Sequence, residues 1–420
     1  MENVSPKPEG EKKQDFVQIQ LAGTIIPLSG RLLVGIGMLE DGKIKLLYAE
    51  SIGNCEIVDG VPVNFPQFVE SIKYGLSRAE SGSKAELFSI TAGLNGGGVV
   101  GLNSRGAIFL SDLKRSVTKR DIEKAVAAAG KIELSSDRTV LDIIPVSFSV
   151  DEARGLENPE GLEGNRLECE AHVITCRTDA KESLVKGVAK AGWKLEGIYY
   201  DGWGSAISGC AGDTTVATTL LIDVCDSHTD VMLLKHGRPR YTAIFPLGQK
   251  GIASELAKAV NVSVVSAKKL LAEHAAVGVS DGFTLESGVE VAVAADGGFP
   301  AKGISQGEIW TLTEKSYRPM LENIAKDLQI RNLIDGIDCV AWGGFAGSVR
   351  GLPELTRLYI SGAARQLPMR TAGTFSDPLF NRLEGGLMYS FSRRKTSSPM
   401  MASAPQGIVN KIKDWFKDLI

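Results

Sequence analysis

Residues 220–238 read LLIDVCDSHTDVMLLKHGR. Two apolar runs, LLIDV and DVMLL, flank a short polar turn, which is a strand–turn–strand pattern. Asp223 closes the first run, and Thr229 with Asp230 opens the second, as in a nucleotide-binding hairpin. In such a hairpin the acids position metal and water, while glycines let backbone N–H groups reach a phosphate without a Cβ in the way. Here Cys225, Asp226, Ser227 and His228 stand where glycines are wanted, and Asp226 sets a negative charge at the phosphate position. The stretch therefore reads as a hairpin kept for its fold. A metal reading of Asp223, Asp226, His228 and Asp230 lacks any HExxH or EF-hand spacing, so no metal is expected.

Upstream and downstream the same theme repeats. FVQIQLAGTIIPL and RLLVGIGMLEDGKIKLLYAESI form a strand hairpin, and FPQFVESIKYGLSRAES at 65–81 carries helical spacing. A strand-rich block follows, with one helix at 118–130 that Thr118 caps and Asp121 supports in its first turn. After the hairpin at 220–238 come a third strand, two helices, a long amphipathic helix and a buried-looking strand, IDCVAWGG. Both halves start with a hairpin and continue with helices, which points to duplicated α/β domains without a strict repeat. WGGFAG at 342–347 stands between a strand and a helix, so Gly343 and Gly344 mark where a nucleotide rests on backbone amides. GLNGGGVVGLNSRG at 93–106 has no GK[ST] and is no P-loop. The four histidines pair with no Ser or Cys at motif spacing, and no catalytic residue is expected.

The whole chain sets further bounds. With 420 residues, 43% hydrophobic and 23% charged, it has the make-up of a soluble chain of several domains. A formal net charge of -3 disfavours a broad nucleic-acid surface. Six scattered cysteines without CxxC read as reduced cytosolic thiols. The first residues lack an apolar core for a signal peptide and read as a disordered arm, and no run is long enough to span a bilayer.

The last residues do carry a pattern. Ile408, Val409, Ile412, Trp415, Phe416, Leu419 and Ile420 fall on one helical face, with Lys411, Lys413, Asp414, Lys417 and Asp418 opposite. Such a helix is only ~20 Å long, too short to cross a membrane. It fits the interface instead, with Trp415 and Phe416 at the headgroup boundary and Lys411 and Lys417 at lipid phosphates. The preceding RRKTSSPMMASAPQG at 393–407 reads as a linker, its basic residues adding attraction to anionic lipid.

The order of these pieces resembles the FtsA family of bacterial division proteins, which are actin homologues. The most specific match runs from Ile143–Pro145 through the Asn-Pro-x-Gly turn at Asn158–Leu167 to the His-x-Ile-Thr strand at His172–Thr175. The resemblance implies an α/β protein with a two-lobed actin-like (ribonuclease H-like) fold, an inserted FtsA-type subdomain and a C-terminal amphipathic helix. It divides the chain into an arm at 1–15, a lobe 1 core at 16–83 and 166–214, and an insert at 84–165. A lobe 2 core follows at 215–248 and 312–392 with a small subdomain at 249–311, then a linker at 393–406 and the helix at 407–420.

By resemblance, the protein polymerises at the inner face of the cytoplasmic membrane at the division site. There it binds the C-terminal peptide of FtsZ and recruits other divisome proteins. Lys315 and Arg318, in the segment that closes the small subdomain, would meet that acidic peptide. ATP with Mg would sit between the lobes, at Gly23, Thr24, Asp223, Thr229, Asp230, Gly343 and Gly344. The departures bear on that ATP. Gln20 and Leu21 stand where the family's first acidic residue belongs, the second motif has lost its glycines, and Lys268 and Leu271 fall at the adenosine helix. The expectation is weak or absent ATP binding and negligible hydrolysis, so no enzyme. Two alternatives remain: a PilM-like adaptor of pilus assembly, which does not need its own membrane helix, and an actin-superfamily ATPase.

Overall fold

A computed structural model describes residues 21–40, 43–210, 216–278, 288–367, 371–372 and 375–397. The arm, Gln20, the 407–420 helix and its membrane-facing residues lie outside the described residues.

Two five-stranded sheets organise the molecule, and they share one strand order. In lobe 1 the order is Lys43–Cys55, Gly30–Glu40, Leu21–Leu28, Ser89–Leu94, Lys194–Tyr200. In lobe 2 it is Arg238–Phe245, Thr229–Lys235, Thr218–Val224, Cys339–Gly344, Ala363–Gln366. Each sheet is an antiparallel meander of three strands extended by two parallel ones. The inner parallel strands Ser89–Leu94 and Cys339–Gly344 are buried almost throughout, as a sheet covered on both faces requires, whereas the edge strands Lys194–Tyr200 and Ala363–Gln366 are largely half-buried. Pro239 falls in an edge strand, the position where its missing N–H is tolerated.

Helices cover the sheets for reasons visible in their ends. Phe65–Ser83 begins where Asn64 accepts the Gln67 N–H at 3.0 Å. Lys119–Ala129 opens on the expected Thr118 cap, which closes into a capping box with Asp121. Arg115 clamps the same carboxylate with bonds of 2.7 and 2.9 Å. That helix lies on a four-stranded sheet ordered Ala153–Leu156, Arg138–Val150, Arg166–Arg177, Val100–Phe109. It seals a separate small core around Ile122, Phe148 and Leu167. Gly106 permits the contact, because a Cβ there would strike the Ala129 backbone.

Three boundaries differ from the sequence reading. Ser89–Leu94, expected in the insert, pairs in parallel with Leu21–Leu28 and so completes lobe 1. Arg166–Arg177, expected in lobe 1, lies at the centre of the insert sheet, paired on both sides. The insert is thus shifted about one strand downstream, since strand patterns alone do not say which sheet a strand joins. Finally, Phe380–Ser397 is one helix, so the linker does not begin at residue 393. It packs on lobe 1, not lobe 2, crossing Asp201–Cys210 so closely that a Cβ on Gly385 would strike the Gly204 backbone.

The insert also braces lobe 2. His172 of the His-x-Ile-Thr strand bonds Asn103 through Nδ1 at 2.8 Å and the Thr242 hydroxyl of lobe 2 through Nε2 at 2.9 Å. Asn103 in turn donates to the Arg240 carbonyl at 2.9 Å. Burial lowers the His172 pKa to about 4, so the seam holds a neutral imidazole. Thr175 receives an N–H of Arg138 at 2.7 Å, which ties the end of the same strand into the insert.

Candidate functional site

The two lobes meet where the turn of the lobe 2 hairpin faces lobe 1. Asp223 ends its strand opposite Asp230, and Gly343 sits beside Asp223 on the parallel neighbour. Between them lies a side chain that the sequence reading did not single out, Arg382, whose guanidinium is fully buried. Its Nη1 donates to Asp201 Oδ2 at 2.6 Å, and its Nη2 donates to Asp230 Oδ2 at 2.6 Å and lies 3.1 Å from Asp223 Oδ2. Asp201 opens a lobe 1 helix, Asp223 and Asp230 belong to lobe 2, and Arg382 sits on the helix Phe380–Ser397. One cation therefore closes the floor of the cleft across both lobes.

Neutral groups complete this floor. Asn95 donates to Asp201 at 2.8 Å, Tyr200 to Asp230 at 2.6 Å, and Ser205 to Asp223. Burial works against the Arg382 charge, but the three carboxylates outweigh it and hold the group protonated well above its usual range. Burial likewise opposes the Asp230 anion, and His228 and Arg382 outweigh it, keeping that carboxyl far below the ordinary range. At Asp201 burial wins and the pKa is raised. In an ATPase such carboxylates face metal and water; here a guanidinium takes their charge.

Beside the floor the cleft is open. A cavity of about 530 Å³ is bounded by Gly30 and Arg31 of lobe 1 and by Gln249, Lys268, Gly344 and Phe345 of lobe 2. Arg31 spans its mouth, paired with Asp377, 3.4 Å from Asp226, and stacked over the Phe345 ring at 5.8 Å. Asp226, read as a charge at the phosphate position, is thus neutralised from the opposite lobe.

Of the residues expected at a nucleotide, Asp223, Asp230, Gly343 and Gly344 are brought together. Gly344, at φ 62°, is required by the hairpin itself, because a Cβ there would strike the Val224 carbonyl and Asp223. Thr229 turns away, donating its hydroxyl to the Leu247 carbonyl at 2.6 Å. Gly23 and Thr24 are a correction. They lie inside their strand, Thr24 3.2 Å from the Tyr199 hydroxyl, while the turn that faces the cleft is Ser29–Gly30. Continuing the register Gly23↔Ile90, Thr24↔Thr91, Ile25↔Ala92 sets Pro27 level with Leu94, so the strand carries no acid where it reaches the cleft. Leu271 is buried in the lobe 2 core, whereas Lys268 reaches the cavity.

The proposed peptide-binding pair divides as well. Lys315 is exposed, whereas Arg318 is engaged by Glu314 and by the Tyr359 hydroxyl at 3.1 Å. As for the acids once weighed as metal ligands, Asp223 and Asp226 face Arg382 and Arg31. Among the described residues, the potential metal ligands that cluster are Cys225, His228 and Asp230.

Residues 96–175 match the model of the SHS2 domain inserted in FtsA. Over 368 residues the chain is 27% identical to the cell division protein FtsA of Borreliella burgdorferi, covering 85% of this chain and 88% of that one. These matches support an FtsA-type chain. The FtsA of Pseudomonas aeruginosa is 24% identical over 398 residues, 89% of this chain and 93% of its own. Among solved structures, the PilM–PilN type IV pilus biogenesis complex aligns at TM-score 0.60 and 13% identity, over 88% of this chain and 98% of that one. MreB5 of Spiroplasma citri bound to ADP aligns at 0.53 and 10% identity, over 90% and 98%. These likenesses establish the actin-like fold, and with it the SHS2 insert whose sheet and helix are described above.

Within this chain, sequence reasoning missed Asp201 and Arg382. A signal for Arg382 exists: Leu379, Leu383, Gly386 and Leu387 form one buried helical face, and Arg382 falls on it. A charge on an apolar face asks for a buried partner. Nothing local says which one.

Proposed function

We propose that this FtsA-family protein is a membrane-bound adaptor of cell division that works without turning over ATP. It polymerises at the inner face of the cytoplasmic membrane, binds the FtsZ C-terminal peptide and holds FtsZ filaments at the division site, where other divisome proteins join. The family supports this reading, and so does the apolar face from Ile408 to Ile420 with Lys411 and Lys417 opposite. Exposed Lys315 is the contact proposed for the acidic peptide.

The observation that carries the nucleotide part is the Arg382 guanidinium among Asp201, Asp223 and Asp230. A cation already sits where metal and phosphate charge would be balanced, and Pro27 supplies no acid from lobe 1. Calorimetric titration of Mg-ATP tests this, on protein ending at Ser397 so that the helix bearing Arg382 stays whole. No heat at high-micromolar ATP is expected; binding tighter than ~10 μM, about -7 kcal/mol, overturns it. The tether is tested by flotation with anionic vesicles and FtsZ. Full-length protein should carry FtsZ to the lipid and protein lacking residues 406–420 should not. Equal flotation of both removes the membrane role of the tail.

A further inference from the structure

We propose that the turn of the lobe 2 hairpin is a zinc site, with Cys225 Sγ, His228 Nε2 and one carboxylate oxygen of Asp230 as ligands. All three residues are buried, and their ligating atoms lie within 4.8 Å of one another. His228 Nε2 is 3.3 Å from Asp230 Oδ1, and Cys225 Sγ is 3.3 Å from Asp230 Oδ2. Ligands bound to zinc at about 2.0–2.3 Å in a tetrahedron stand roughly 3.3–3.5 Å apart; the two separations here run to different oxygens of Asp230, so the carboxylate turns to present one of them to the ion. The donor set of thiolate, imidazole and carboxylate suits zinc, and three protein ligands leave a fourth position for water.

Two further observations point to an ion. First, buried His228 Nε2 makes no contact beyond its 3.3 Å approach to Asp230 Oδ1, while its Nδ1 is 3.0 Å from the Ser227 hydroxyl. A metal-bound histidine is commonly arranged this way, one nitrogen anchored and the other free for the ion. Second, Asp201 Oδ1 and Asp223 Oδ1, buried in the same floor, lack partners. A dication brings counter-charge close to those oxygens. Arg382 opposes the ion, and the carboxylates outnumber it. The Cys225 N–H donates to the His228 carbonyl at 2.8 Å, so the turn holds its ligands in place before any ion arrives. Binding replaces the Cys225 thiol proton, and the His228 Nε2 proton where that ring is charged, by the metal and releases both to solvent.

The test uses the metal-free full chain titrated with Co²⁺, a spectroscopic stand-in for zinc. One equivalent should bring up a thiolate-to-cobalt charge-transfer band and tetrahedral ligand-field bands, and Zn²⁺ should abolish both. Cys225→Ser should remove the charge-transfer band, His228→Gln should weaken binding about tenfold or more, and Cys55→Ser should change neither. The wild-type titration decides by itself if a variant does not fold. No band at saturating cobalt, or a band that survives Cys225→Ser, overturns the site.

Discussion

The floor of the cleft and the cavity beside it are a few ångströms of the same interface, yet they are finished differently. The floor is closed: Arg382 meets Asp201, Asp223 and Asp230, and the surrounding hydroxyls and amide bind those carboxylates. The cavity keeps about 530 Å³, with Lys268, Gln249 and Phe345 at its wall. Charge explains the difference. Buried carboxylates demand a counter-charge at all times, and Arg382 supplies one permanently without a nucleotide-bound metal. At the cavity, Arg31 already neutralises Asp226 and Asp377 at the mouth, so the space beside them can stand open.

The sharpest way to break this comparison is to remove the cation. Arg382→Ala leaves three uncompensated buried carboxylates and should cost about 3–5 kcal/mol in urea unfolding at pH 7. Adding Asp201→Asn should recover part of that loss. A cost below ~1 kcal/mol would mean that the floor does not hold the lobes together.

Acid should strike elsewhere. Arg382 stays charged at every accessible pH, whereas neutral His172 at the seam between insert and lobe 2 has its pKa lowered from 6.5 to about 4. The unfolded imidazole takes up its proton below 6.5 and the folded one only near 4. Stability contributed by the neutral form is therefore complete above pH 6.5 and lost as pH falls towards 4. The loss should reach about 3 kcal/mol, and His172→Gln should remove this step from the pH profile of unfolding. A profile unchanged by that substitution would place the acid sensitivity in other groups.

Between floor and cavity stands Gly344. Gly344→Ala forces a Cβ against the Val224 carbonyl at φ 62° and should destabilise by about 1–3 kcal/mol. A neutral result would show that the hairpin and the adenosine-type turn are not in close contact. The smallest effect is expected farthest from the cleft. Lys315→Glu should weaken FtsZ-peptide binding by a few-fold, under ~1 kcal/mol, without changing the unfolding midpoint. An unchanged affinity would move the peptide contact off this face.

The hairpins, the capping box at Thr118 and the helix beginning at Phe65 were legible because each is set by residues within a few positions. The domain order was legible through the Asn158–Leu167 turn and the His172–Thr175 strand. What misled was register. Gly23–Thr24 has the look of a phosphate turn, but the hairpin closes at Ser29–Gly30, five residues on. A glycine inside a strand and one in a turn read alike when the partner strand is unknown. The end of the last described helix misled in the same way: RRKTS has a linker's composition, yet Arg393 bonds the Tyr389 hydroxyl at 3.1 Å and the helix continues to Ser397.

By itself, then, the chain's sequence determined the two α/β halves, the insert within the first of them, the loss of glycines around Asp223 and the apolar face of the tail. These follow from periodicity, caps and turn chemistry, all of them local. Only the tertiary structure decided what became of the vacated charges. Arg382 lies 181 residues from Asp201 and 152 from Asp230. No spacing rule links them; packing does, through the glycine crossing of Gly204 with Gly385, which brings the arginine into the cleft.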